Sequence, residues 1–211
     1  MREPEPNLDP CIPVSQDQAE GPWPPCCCVA AFVAKALECL GDSKIDRSLI
    51  ARQLGLKVGP TDENPWGLEV IHDPDFRGLT VTEAEQSIGA VLAAHSHGLA
   101  FRHIPFNTVT FELYQNVLEE ATAKGCIVGV GFDYGRLTGK PGLRRHIARI
   151  IAGPDERSVV LLDDSAGSSP ERYAVDWQAL ERAVYDIYDG FWIVGPGTGL
   201  SFDLTLPYGD T

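Results

Sequence analysis

Read for hydrophobic spacing alone, the chain opens on a segment without a period, passes into helical stripes, and ends in short apolar runs. The strongest stripe is Val29, Phe32, Val33, Ala36, Leu37 and Leu40, at i, i+3, i+4, i+7, i+8 and i+11. It predicts a helix closed by Gly41 in the C′ manner, with Pro24 and Pro25 ahead of it, where a missing N–H does no harm. A short helix is expected near 46–54 with Asp46 as N-cap, a third from Thr80 or Thr82 to about His95, and a fourth over 111–123. Residues 55–78, interrupted by Gly and Pro, read as a long surface loop. The pattern then changes: 126–132, 146–152, 158–162 and 190–194 are strand-length apolar runs ended by Gly, Pro or Asp, with one more helix at about 176–186. Helices first and strands afterwards imply an α+β fold, a helical part over about 26–124 packed against a largely antiparallel sheet over about 125–200. Residues 1–25 hold seven prolines and form an extended arm ahead of a single domain at 26–211.

A chain of 211 residues suits that one domain without staples. Thirty acidic against seventeen basic residues give a formal net charge of -13. Such a field repels phosphate backbones and anionic lipid, so neither nucleic acid nor a membrane surface is an expected partner. No uninterrupted apolar stretch is long enough for a membrane span, and the acidic, Pro-rich start is unlike a secretory leader. The expected location is cytoplasmic, with the cysteines at 11, 26, 27, 28, 39 and 126 mostly reduced.

Three consecutive thiols at a helix start carry the most chemistry. A helix N-terminus offers partial positive charge and free N–H groups, which favour a thiolate and a neighbouring oxyanion. At 100° per residue, Cys26 points to the core, Cys28 to one side, and Cys27 away from the stripe, where a cleft would lie; the plainer reading makes all three packing residues. A thiolate needs a base, and the base an orienting partner. His146 begins an apolar strand after the turn TGKPGLRR, and the next strand, VVLLDDSAG, ends in Asp163 and Asp164. Alternation lets only one carboxylate face the imidazole; Asp164 is favoured, with Asp163 as the alternative. His72, His95, His97 and His103 read as solvent-facing or structural. Arg144, Arg145 and Arg149 form a basic cluster beside His146 that would dock a carboxylate or phosphate, with Arg144 and Arg145 as substrate contacts.

CCVAAF at 27–32, VGVGFDYGRLTGKPGLRRHIARIIAG at 128–153, VVLLDDSAG at 159–167 and RYAVDWQALERA at 172–183 together resemble papain-like cysteine enzymes. The resemblance is closest to phytochelatin synthases and double-glycine bacteriocin-processing peptidases, and it covers about 16–40 and 125–194. It implies a papain-like fold, Cys27 as nucleophile, His146 as base and a third member from the 163–164 pair. Cys28 and Arg145 stand where those families carry Gly. Their oxyanion-hole glutamine falls at Gly21 here, which leaves Gln18, or Gln16, to serve. The implied activity is acyl transfer through an acyl-S-Cys27 intermediate from a small-molecule, peptide or carrier-protein-bound donor to water or an amine. No cofactor is expected. A thiol metal site is the rival, opposed by the poor geometry of adjacent thiols; a catalytically inactive papain-like binding protein is another. Five Lys against twelve Arg suggest a GC-rich bacterial genome and a biosynthetic setting.

Overall fold

The computed structural model describes residues 27–41, 45–72, 79, 81–96, 98–106, 111–139, 145–153, 155, 157–163 and 171–202. Six helices and eight strands run in the order α1 (Cys28–Leu40), α2 (Arg47–Gln53), β1 (Lys57–Val58), β2 (Glu69–Val70), α3 (Val81–His95), β3 (Leu99–Pro105), α4 (Phe111–Ala123), β4 (Ile127–Asp133), α5 (Tyr134–Thr138), β5 (Arg145–Ala152), β6 (Ser158–Asp163), β7 (Glu171–Asp176), α6 (Trp177–Tyr185) and β8 (Gly190–Pro196). The main sheet has the order β3-β8-β4-β5-β6-β7, and every neighbouring pair is antiparallel. The fold is α+β, as the order of patterns implies.

The sheet is covered on both faces, and its central strands show why they read as unbroken apolar runs. Every residue of β4 is buried. Ile127, Ile147, Trp192 and Val194 join a core with α1, α2 and α3; Val128, Val130, Phe132, Ala148, Ile150, Phe191 and Ile193 join another with α4 and α6. Successive side chains on each strand therefore enter opposite cores, the signature of a strand buried on both sides. The helical part is thus divided: α4 packs on the far face beside α6 instead of joining α1–α3. It is held there by a stack of Phe106 and Tyr114, whose hydroxyl donates to the Phe106 carbonyl.

Local signals account for several boundaries. Asp46 caps α2, its carboxylate accepting from the Ser48 and Leu49 N–H groups. Gly41 ends α1 by donating to the Leu37 carbonyl at 2.7 Å, but in extended backbone (φ -114) and not in the left-handed form expected. Glycine is still required, because a Cβ there would stand 2.7 Å from that carbonyl oxygen. The 55–78 loop contains a two-residue parallel pairing of β1 with β2. Thr80 lies outside the described residues.

The expectation of reduced thiols is corrected at one position. Cys39, in the last turn of α1, is disulfide-bonded, with the other half of the bridge outside the described residues; Cys27, Cys28 and Cys126 are free thiols. Burial pushes the Cys126 thiol up, partly offset by Lys124. Among the described residues no helix is long and apolar enough to cross a membrane.

Candidate active site

Helix α1 lies against the sheet at a close approach that glycine permits. A Cβ on Gly129 of β4 would stand 2.7 Å from the Phe32 ring, so the ring fills the place of the missing side chain. One turn earlier on the same side of the helix is Cys28, the first residue of α1. Cys27 precedes it as N-cap, with helical backbone and no side-chain capping bond, and is 5% exposed. Both stand where the first N–H groups of a 13-residue helix lack partners within the helix.

His146 enters at the start of β5, paired across the ladder with Phe132 of β4. Its Nε2 meets Asp163 Oδ2 at 2.7 Å. The ladder explains the pairing: Arg149 lies opposite Leu162, which places Asp163 opposite Ala148. Ala148 is two residues on from His146 and shares its face. Two aromatic rings flank the imidazole edge-on, Phe132 at 5.6 Å and 88° and Tyr134 at 5.5 Å and 72°. Asp133, between them, caps α5 by accepting from the Gly135 and Arg136 N–H groups, and so fixes where the Tyr134 ring stands.

The thiol in hydrogen-bond contact with the imidazole is Cys28. With Nε2 committed to Asp163, Nδ1 is the ring nitrogen left for the sulfur. Burial alone would lower the imidazole pKa. The hydrogen bonds to Asp163 and Cys28, and the charges those groups carry, outweigh it and raise the pKa to about 10. At neutral pH the ring therefore holds its proton. Carboxylate, imidazole and sulfur in series are the kind of arrangement that can pass a thiol proton to the ring and free a sulfur for nucleophilic attack.

The structure thus brings together His146, one carboxylate of the 163–164 pair, and a cysteine of the 26–28 run, with two changes of residue. Cys28, and not Cys27, meets the imidazole. Pointing away from the apolar stripe does not bring Cys27 to a cleft, because α1 is enclosed on every side: all nine residues from Val29 to Leu37 are buried. Asp163, and not the favoured Asp164, holds the ring; Asp164 lies outside the described residues, as do Gln16, Gln18, Arg144 and Cys26. Arg145 is exposed at the start of β5, opposite Asp133 in the ladder. Arg149 is 3% exposed and so is no surface docking point.

Spacing gave no sign of Phe132 or Tyr134. His103 is no solvent-facing histidine: its side chain is 6% exposed, with Nε2 at 3.2 Å from Asp189 Oδ1 and Nδ1 at 3.9 Å from Glu85 Oε1. Among the described residues no group of three or more His, Cys, Asp or Glu side chains could hold a metal ion.

No protein-family model matches the sequence, and no curated protein matches it. Among solved structures, the chain is similar to one from Bacillus anthracis described as a "putative C39-like peptidase", with a TM-score of 0.53 and 17% identity over 82% of this chain and 90% of that one. At that identity the likeness concerns the fold alone, which is papain-like.

Proposed function

We propose that this protein is a cysteine-dependent acyl-transfer enzyme of the cysteine-peptidase type, with Cys28 as nucleophile, His146 as acid and base, and Asp163 as the group that orients the ring. The observation that carries the reading is the single hydrogen-bonded series from Cys28 through His146 to Asp163 at the N-terminus of α1. The Cys28 sulfur bonds to the carbonyl carbon of an amide, peptide or thioester, its proton having passed to His146. The tetrahedral oxyanion forms beside the Cys28 N–H, with Gln18 or Gln16 as the second donor. Collapse breaks the bond to the leaving amine or thiol, which takes the proton from His146, and leaves an acyl-S-Cys28 intermediate. Water or an amine then adds to the acyl carbon, gives its proton to His146, and releases Cys28. Arg145, exposed at the start of β5, would meet a substrate carboxylate, with Arg144 as a second contact.

Sub-stoichiometric alkylation with a neutral haloacetamide at pH 6–7, followed by peptide mapping, tests the assignment. Label is expected mainly on Cys28, falling sharply when His146 is replaced. Label mainly on Cys27 or Cys126, indifferent to His146, would overturn it.

A further inference from the structure

A second carboxylate stands on the side of the sheet that α1 covers, and the proton-transfer series does not use it. Asp189 enters β8 behind Tyr188, whose backbone is left-handed (φ 54), an uncommon conformation for a bulky residue. The Asp189 residue is only 6% exposed. Three donors converge on one of its oxygens: Oδ1 accepts from the Gly190 N–H at 2.8 Å and the Trp192 indole at 2.7 Å, and His103 Nε2 stands 3.2 Å away. These contacts fix the plane of the carboxylate. The other oxygen, Oδ2, accepts no hydrogen bond among the described residues and is not sealed off from solvent.

Its position follows from the ladder. An ideal Cβ on Gly131 would stand 2.2 Å from Oδ2, so the carboxylate occupies the space above that glycine. The previous residue on the same face of β4 is Gly129, beneath Phe32, and Cys28 lies one turn before Phe32. Gly131 is also the ladder partner of Ile147, next to His146. Strand rise and spacing then put Oδ2 within about 10 Å of the thiol, on the side that α1 covers.

The carboxylate is almost enclosed and held in one plane, with one oxygen free of protein donors and open to solvent, so a cation with N–H bonds suits it better than a neutral group. We propose that Asp189 is a specificity-determining residue whose Oδ2 receives a primary ammonium or guanidinium group of the acyl substrate. The proposal rests on Cys28 as the nucleophile.

The test compares two haloacetamides matched in size, one carrying an ammonium and one a hydroxyl, as alkylators of Cys28 at physiological salt. The wild type should react faster with the ammonium probe by about tenfold or more, the worth of a hydrogen bond to a charged group. Asp189→Asn should abolish that preference, read as the ratio of the two rates within the variant; its amide oxygen can still accept from Gly190 and Trp192. Glu69→Gln, which removes an exposed carboxylate of the Lys57 pair, should keep the preference and so exclude a mere effect of net charge.

Absence of a preference in the wild type, or its survival in Asp189→Asn, would overturn the subsite while leaving the nucleophile intact. Failure of the neutral probe to modify Cys28 in the wild type would overturn the nucleophile and the subsite together. Should Asp189→Asn not fold, butylamine, whose N-acetyl derivative is neutral, decides the matter on the wild type. It should slow alkylation by the neutral probe where its N-acetyl derivative does not, and equal protection by both overturns the proposal.

Discussion

Among the described residues the sheet carries two histidine–carboxylate pairs, His146 with Asp163 on β5 and β6, and His103 with Asp189 on β3 and at the entry to β8. β4 runs between them. Both pairs join Nε2 to a buried carboxylate, at 2.7 and 3.2 Å. Their surroundings differ: His146 has the Cys28 thiol against it and two aromatic edges beside it, whereas His103 has Glu85 on its other nitrogen and the Trp192 ring at 5.8 Å. A histidine held by a carboxylate is therefore not enough for the proposed chemistry, which also needs a thiol against the ring. What separates the two is the helix N-terminus that reaches one and not the other.

The comparison can be broken first at the thiols. Cys28→Ala should lower acyl-enzyme formation by about 10³-fold or more, while Cys27→Ala, changing a side chain that does not meet the ring, should keep it within about tenfold. Intact-mass detection of the acyl-enzyme reads both. The histidines come next: His146→Ala should slow alkylation of Cys28 at neutral pH by about 10²-fold or more, and His103→Ala should leave the neutral-probe rate within about threefold. Equal losses in the two variants would erase the distinction.

Asp163→Asn should cost less, about tenfold to a hundredfold in turnover, since it orients and charges the ring without reacting. It should also lower the alkaline limb of the pH profile, because Asp163 helps hold the imidazole pKa near 10. The same linkage acts on stability. The folded pKa lies above the unfolded value of 6.5, so the stabilisation is full below about pH 6.5 and fades as pH rises toward 10. The gap in Tm between wild type and Asp163→Asn should therefore be widest near pH 6 and shrink from pH 7 to pH 10; a constant gap would contradict the coupling. The smallest effect is at Tyr188, where glycine adopts the left-handed backbone freely. Tyr188→Gly should stabilise by about 0.5–1 kcal/mol in urea unfolding, with the neutral-probe rate unchanged.

Much of the framework was legible because it rests on local chemistry. The Asp46 cap, the 111–123 helix and the Val- and Ile-rich strands each state their conformation within a few residues. β3 was hidden because Arg102 and His103 interrupt its apolar pattern. On an edge strand they find tertiary partners, Arg102 donating to the Leu200 carbonyl at 2.7 Å and lying over the Phe202 ring.

The site was legible as a set of residue types and not as individual atoms. Whether Asp163 or Asp164 faces His146 depends on the register between β5 and β6, and a shift of one residue in that register would exchange them. The choice between Cys27 and Cys28 depends on where α1 begins and how completely it is enclosed, and a single stripe of apolar residues does not record either.

Gly129 has a meaning for anyone who would engineer this protein. In a fully buried strand, a design guided by β-propensity would replace it with Val or Ala, since glycine weakens strands. Yet the Phe32 ring rests on the vacant position, so that one hydrogen atom acts as the shim setting how far α1 stands off the sheet. A methyl group there would lift the helix, and with it the sulfur one turn away, out of reach of the imidazole. Thermostability and reactivity thus draw on the same fraction of an ångström, and the most tempting substitution in the central strand is the one that should leave a well-folded chain with a nucleophile that no longer meets its base.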